Sequence, residues 1–590
     1  MGLVVSRTWY VSCSPRSPEK IKPELEQLAT LEGEPWTARD SSGNLVTQIR
    51  FARLLQETPT FEGNIYEKDP SFSARDRFAP MQTYGFAYID SDRILRITDA
   101  GRQLINGERI QELYLKQMLK WQYPSWQHGG NPRTRHLYSS RDEIGIHPFV
   151  ATLCACYELN GISKEELAIF LLPTMKDEDV IHSINKIKKF REESGKYRGV
   201  ERREFIWNTH IEEYARVYVE ELKSGQFHTR ESLTTDETSF LHKKIRNSLD
   251  VADAAFRYFR ATGLFTFSAD YRRLIVSPLH RNEVRRILNE MEFQIVDFYE
   301  NVEAFYEYMG NPDIPILPWE NEKELTEKAI SLGVDSKIAR ESSIIELKNM
   351  IENETRQLKQ RRLEEYLIAA QAKEEVRDII ETFKRIKQKD VVDPPLFFEW
   401  NVWRAFVSMD DCEKPVPNFN LDDDLKPFST APGNRADMEI QYNDSFVVLG
   451  EVTLSTGARQ YDTEGEPVTR HVGRYQKEEQ EKRTGRRVYC VFIAPKIDPA
   501  TRDYFYVHLK HFNNPEFGGY LNMIPLSMEQ FIDIFEFVKS MKNFNRYVFK
   551  DFLDRVVNLR EITNTGEEWG KGISKVIREW KKDLAEFDAS

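Results

Sequence analysis

The chain has 590 residues, too many for one hydrophobic core, and its length suits three or four domains. Charged residues make up 30% of it, and no apolar run reaches bilayer-spanning length, which excludes a helical membrane protein and predicts a soluble chain. The net charge of −12 excludes a uniformly basic nucleic-acid binder, so any such activity has to come from a local basic patch.

Met1 to Tyr10 carries one arginine and a short apolar patch, which is not the pattern of a signal peptide. The five cysteines, Cys13, Cys154, Cys156, Cys412 and Cys490, are odd in number and scattered. Cys154 and Cys156 have no second Cys/His pair close enough to complete four metal ligands. Free, buried thiols in a reducing cytoplasm are expected.

Two segments share one pattern. Arg77 to Gly85 reads as a helix end with a left-handed glycine stop, followed by strand, turn and strand through Thr98. Phe256 to Gly263 repeats it, with a turn at Ser268 to Asp270 and a second strand from Arg273 to Ser277. A helix followed by such a hairpin is how a winged-helix domain ends, and two arginine-bearing copies predict paired winged-helix-like DNA-binding modules. Cations crowd the second copy, including Lys243, Lys244, Arg246, Arg257, Arg260, Arg272 and Arg273.

Between the copies, Pro148 to Leu172 and Trp207 to Leu222 have helical apolar spacing. Three prolines between Gly310 and Pro318 mark a linker or boundary. Ser342 to Lys389 reads as one long helical pattern, a spacer, ended by Pro394-Pro395. Acidic residues concentrate in Asp410 to Asp424.

The chemistry is expected after Pro395. Met438 to Tyr442 and Phe446 to Thr453 read as two strands joined by an Asn443-Asp444-Ser445 turn, which pairs Tyr442 with Phe446. Asp437 then falls opposite Glu451. Opposed side chains lie about 5 Å apart at Cβ, so both carboxylates can hold one Mg²⁺ at about 2.1 Å per bond. The Val452 carbonyl is a third candidate oxygen. A hairpin can carry an acid at each end for solvation alone, but Glu451 follows the apolar run Phe446 to Leu449, where a charge needs a partner or a metal. A cation at such a site serves phosphodiester hydrolysis by offsetting the anionic charge and acidifying water.

Upstream, Glu399 is expected on a helix packing under the hairpin, at the edge of the site. Downstream, Glu464 precedes Pro467-Val-Thr-Arg-His471. Proline suits a first helical turn, which would place Arg470 and His471 near an anion-favouring N-terminus. An acid, thirteen residues, then Glu-x-Thr matches nucleases whose signature ends Asp/Glu-x-Lys, with Thr453 in place of the lysine.

Several words of the chain resemble the AlwI-like Type IIS restriction endonucleases and the nicking endonucleases related to them. They are Trp9 to Lys20, Arg75 to Phe86, Leu119 to Pro124, Asp437 to Ile440, Leu449 to Thr453 and Glu466 to His471. The resemblance implies a multidomain α+β chain with tandem winged-helix-like subdomains, a helical linker and a C-terminal FokI-like PD-(D/E)xK cleavage domain. The expected divisions are recognition subdomains over 1–140 and 141–295, a linker over 296–390 and a cleavage domain over 391–590. It further implies Mg²⁺ and an active centre of Asp437, Glu451 and Val452, with Glu399, Glu464 and His471 nearby. The substrate would be double-stranded DNA, cut a few base pairs outside a short asymmetric site in the bacterial cytoplasm. A second copy or a small catalytic subunit is implied for second-strand cleavage, and a companion DNA methyltransferase for the system. Arg16, Arg75, Arg77, Arg257 and Arg260 are candidates for DNA contact, since arginine reads guanine bidentately, although phosphate contact or a surface ion pair is the better account of any one of them. Two rivals stay open from the residues alone: a non-catalytic winged-helix regulator, and a nuclease directed to damage or DNA structure.

Overall fold

Apolar residues at strand spacing, bounded by helix stops, organise both halves of the chain. The computed structural model describes residues 6–58, 61, 69–128, 144–228, 234–296, 301–370, 372–409, 412–442, 445–542 and 544–588. Among these the architecture is α+β and rich in helix, with one five-stranded sheet and three two-stranded ones. No described helix is long and apolar enough to cross a membrane. The chain divides into two compact units, one of Met1–Gln357 with Asp422–Asp424, the other of Leu358–Leu421 with Leu425–Ser590.

In the first unit both expected helix–glycine–hairpin motifs form. Helix α1 (Phe72–Thr83) leads through Gly85 into strands β1 (Ala87–Ile89) and β2 (Leu95–Ile97), and helix α2 (Asp99–Asn106) follows, capped by Thr98. Helix α3 (Glu237–Arg260) leads through Gly263 into β3 (Phe265–Phe267) and β4 (Leu274–Val276), and helix α4 (Arg281–Glu290) follows. Gly85 and Gly263 have φ of +75° and +77°, left-handed conformations that a side chain disfavours. Each hairpin is extended by one further antiparallel bridge, Pro35 to Ile94 in the first and Ile162 to Leu274 in the second. The N-terminal arm joins the second motif through Tyr258 of α3, which donates to the Pro15 carbonyl at 2.8 Å, and the Trp9 indole donates to the Leu171 carbonyl at 2.8 Å.

Three features differ from the reading of the sequence. The helical run over 148–172 breaks after Leu159, where Asn160 and Gly161 take positive φ. The proline-rich segment over 310–318 is not a free linker. The Gly310 carbonyl accepts from the Ala100 amide at 2.8 Å, Lys116 donates to the Asp313 carbonyl at 2.9 Å, and Leu317 is buried. The pattern over 342–389 forms two helices, α5 (Ile344–Ala369) and α6 (Lys373–Lys387), and the division between units falls inside α5.

The second unit begins its core with helix α7 (Pro394–Met409), buried from Leu396 onward. Next come strands β5 (Lys414–Pro417), β6 (Met438–Tyr442) and β7 (Phe446–Val452), then helix α8 (Ala458–Glu481) and strands β8 (Arg487–Ala494) and β9 (Met523–Ser527). The sheet order is β9-β8-β7-β6-β5. β8 runs parallel to β7 and β9, whereas β6 is antiparallel to β7 and β5. Central β7 is buried along Phe446 to Glu451, which explains its near-continuous apolar sequence. Tyr442 pairs with Phe446 and Met438 with Gly450, the expected register. A Cβ at Gly450 would lie 2.6 Å from the Met438 side chain, so only glycine lets these strands pack here. Turn residues Asn443 and Asp444 lie outside the described residues, as do Asp410 and Asp411 of the acidic stretch.

Candidate active site

One register step beyond the Met438–Gly450 pair, Asp437 stands across from Glu451 at the end of β6 and β7. Its Oδ2 accepts from the Val452 amide at 2.8 Å, and its carbonyl accepts from the Asn418 amide at 3.1 Å. Glu451 is buried, and its Oε1 lies 2.9 Å from His471 Nδ1. Glu464 Oε1 accepts from the Thr453 hydroxyl at 2.8 Å. From α7, which packs on β7, the buried Glu399 accepts from the Ala431 amide at 3.0 Å. Val452 and Thr453 line one cleft together with Glu399. The residues expected to form the centre therefore meet at the ends of the interior strands β6 and β7.

These acids perturb one another. Burial, then the charge of Asp437, pushes the Glu399 carboxyl well above its ordinary range. Burial and the neighbouring Glu451 do the same to Asp437, against the Val452 hydrogen bond. Burial and Glu464 raise Glu451. The His471 imidazole moves the other way, down to about 4, through burial and the adjacent Arg470 charge. It is neutral at pH 7, and one proton lies between Nδ1 and the Glu451 carboxylate. Such a cluster favours a cation, because like charges out of water destabilise one another.

Among the described residues, no three His, Cys, Asp or Glu side chains converge to hold a metal by themselves. The expected donors are fewer: the carboxylates of Asp437 and Glu451, with the Val452 carbonyl beside them. Hard oxygen donors few in number suit Mg²⁺, which keeps several waters. The residues present fit that ion.

The reading of the downstream helix requires correction. Helix α8 starts at Ala458, so Pro467 lies inside it and Arg470 and His471 sit three turns along, not near the N-terminus. His471 reaches Glu451 from the side of the helix, and Arg470 is held by Glu466 and Asn434. Sequence reasoning missed Asp393, whose charge acts on Glu399, and the turn at Gly457 where α8 begins. The signal for that turn was the polar run Ser455-Thr-Gly457 directly after a buried strand.

The arginines expected at DNA have protein partners. Arg16 pairs with Asp250 at 3.0 Å, Arg75 with Asp69 at 2.6 Å and Arg257 with Asp253 at 3.2 Å. Arg77 is paired with buried Glu24 at 2.9 Å, and Arg260 is buried against Asp422 at 2.8 Å. The side chains of Arg16 and Arg75 remain 45% and 42% exposed, so these two keep a face toward solvent.

The acids gathered at the ends of β6 and β7, with the cleft beside them, form the candidate active site of the second unit, and the comparisons give its family. The family model "AlwI restriction endonuclease" matches residues 82–534, more than half of the chain, and the protein belongs to that family. It is accordingly a DNA endonuclease of the restriction class. No curated relative matches it. Ten chains of solved structures match it, two endonucleases among them. The small subunit (R.BspD6I2) of the heterodimeric restriction endonuclease R.BspD6I is 25% identical, with 34% of this chain and 98% of that one covered and a TM-score of 0.28. The BpuJ1 endonuclease binding domain, solved in complex with pyrene- and phenanthrene-modified DNA, is 14% identical, with 50% and 92% covered and a TM-score of 0.30.

Proposed function

We propose that this endonuclease is a Mg²⁺-dependent enzyme of the Type IIS or strand-nicking kind, acting in the bacterial cytoplasm. It recognises a short asymmetric duplex site through its first unit and hydrolyses a phosphodiester a few base pairs outside that site in its second. The observation that carries the reading is the cluster of buried Glu451 and Glu399 with half-buried Asp437 and Glu464 at the ends of β6 and β7, with His471 bonded to Glu451. The paired helix–glycine–hairpin motifs, each with a third bridging segment, support two winged-helix-like modules. The mixed sheet and the Asp437…Glu451-x-Thr453 order support a PD-(D/E)xK domain.

Asp437, Glu451 and the Val452 carbonyl would hold the ion, which supplies charge that offsets the phosphodiester's own and acidifies the attacking water. With Glu451 ionised, its carboxylate accepts from His471 Nδ1–H. That bond fixes the tautomer and leaves Nε2 free to accept a proton. Glu464 orients the Thr453 hydroxyl, and Glu399, held by the Ala431 amide, offers an oxygen at the cleft edge.

Partners follow from the same reading. One such centre acts on one phosphodiester at a time, so a second copy or a small catalytic subunit is needed for the other strand. A companion DNA methyltransferase would protect the host's sites. The test is supercoiled plasmid with Mg²⁺, followed by run-off sequencing of the product. Breaks at a constant offset from one sequence are expected. Equal cutting of unrelated plasmids would overturn the site-specific reading, and intact plasmid would overturn the hydrolytic one.

A further inference from the structure

The lysine that usually follows the second acid is Thr453 here, and His471 is tied to Glu451, so the strand end supplies no free cation to the substrate phosphate. The cleft beside the cluster has a volume of about 510 Å³ and is lined by Glu399, Val452, Thr453, Ser455, Thr456 and Arg459, among others. Arg459 is the one cation among those lining residues. It is exposed, and among the described residues its guanidinium has no ion pair, hydrogen bond or ring contact. Unlike it, Arg470, further along the same helix, is engaged by Glu466.

Its backbone, by contrast, is anchored. The adjacent Gln460 is fully buried, donates to the Ser455 carbonyl at 2.9 Å and the Lys496 carbonyl at 3.0 Å, and accepts from the Asp498 amide at 2.8 Å. Three hydrogen bonds from one side chain pin the turn that enters α8. A free guanidinium on a rigid base, at the mouth of a cleft that also presents the hydroxyls of Ser455 and Thr456, has the chemistry of a phosphate clamp.

We infer that Arg459 binds a backbone phosphate of the strand being cut and holds that strand in the cleft against the carboxylate cluster. This rests on the proposed function and adds to it the residue that grips the substrate. Arginine's fork matches two phosphate oxygens, and the charge-assisted bonds it makes to them are stronger than neutral ones. The clamp orients the strand, while the acids and His471 carry out the hydrolysis.

The experiment uses the full-length protein with R459A, R459K and E451A, on site-bearing duplexes carrying a single neutral methylphosphonate linkage at each position flanking the cut. Loss of one preorganised electrostatic donor should lower the single-turnover rate of R459A about 10²-fold, with R459K intermediate. Site affinity without Mg²⁺ should change less than about threefold, since one phosphate contact among many is lost. At one linkage of the cut strand, neutralisation should slow the parent about tenfold or more and leave R459A unchanged. A merely structural arginine would not produce that non-additivity. Parental cleavage by R459A, or additive effects at every linkage, overturns the inference. If E451A still cleaves, the active-site reading itself fails, and that outcome is distinct from failure of Arg459.

Discussion

Arg77 is the residue for which sequence and structure suggest the most different fates, and substituting it separates them. Its guanidinium lies 2.9 Å from Glu24 Oε1, the Glu24 side chain is fully buried, and Glu24 Oε2 has no hydrogen-bond partner. Burial pushes the Glu24 carboxyl from 4.5 up to about 7, against the pull of Arg77. A folded-state value above the unfolded one means that this group's contribution to stability is complete below pH 4.5 and is lost as pH rises through about 7. Over that interval, at about 1.36 kcal/mol per pH unit, ionisation costs the folded state about 3 kcal/mol.

Arg77→Met removes the pull. At pH 8.5 the orphaned carboxylate should destabilise the first unit by about 3–5 kcal/mol, the range for breaking a buried pair. At pH 6 the carboxyl is mostly protonated in the parent too, and the loss should shrink to about 1 kcal/mol, one hydrogen bond's worth. Calorimetry and urea titration of the full chain at both pH values, beside R77M/E24Q, read this directly. The double variant should lose the pH dependence. An equal loss at both pH values would refute the electrostatic argument. Unchanged stability with lost site binding would show that Arg77 leaves Glu24 to reach DNA.

Asp437→Ala and Glu451→Ala should each abolish Mg²⁺-dependent cleavage and leave site binding within about threefold, checked by plasmid relaxation and gel shift; residual cutting near the parental rate would remove the residue from the centre. His471→Ala should slow cleavage about 10²- to 10⁴-fold, as loss of a proton-transfer group does, and an unchanged single-turnover rate would make the residue structural. Because the folded-state carboxyls of Asp437 and Glu451 are raised, ion binding must displace protons, and affinity should fall with falling pH well before the ordinary 3.8 and 4.5 are reached. Calorimetric titration with Mg²⁺ in two buffers of different ionisation enthalpy measures that release; release that does not grow as pH falls contradicts it. Nicking of enzyme-saturated plasmid should be independent of protein concentration, whereas any second-strand cut should accelerate with it; linear product without a nicked precursor would mean that one chain makes both cuts.

Local physics determined what the sequence disclosed by itself. Strand periodicity and the spacing of the two strands set the register that carries Asp437 to Glu451, because a one-residue slip would exchange the buried and half-buried faces of β6. The glycines at 85 and 263 announced their hairpins, since helices stop where the backbone must turn left-handed. Glu451 stood out as a charge within an apolar run, visible without any partner. What only the tertiary structure decided depends on neighbours distant in sequence. Proline inside α8 is tolerated because burial of Val468 and Val472 outweighs one missing backbone hydrogen bond, so the helix begins nine residues before Pro467 and presents Arg459 to the cleft. The prolines of 310–318 pack because Ala100 and Lys116 reach their carbonyls. Arg77 and Arg260 read as DNA ligands in one dimension, yet each meets a carboxylate 53 and 162 residues away. Charge pairing is set by distance in space, and a linear chain does not record which acid will lie beside which arginine.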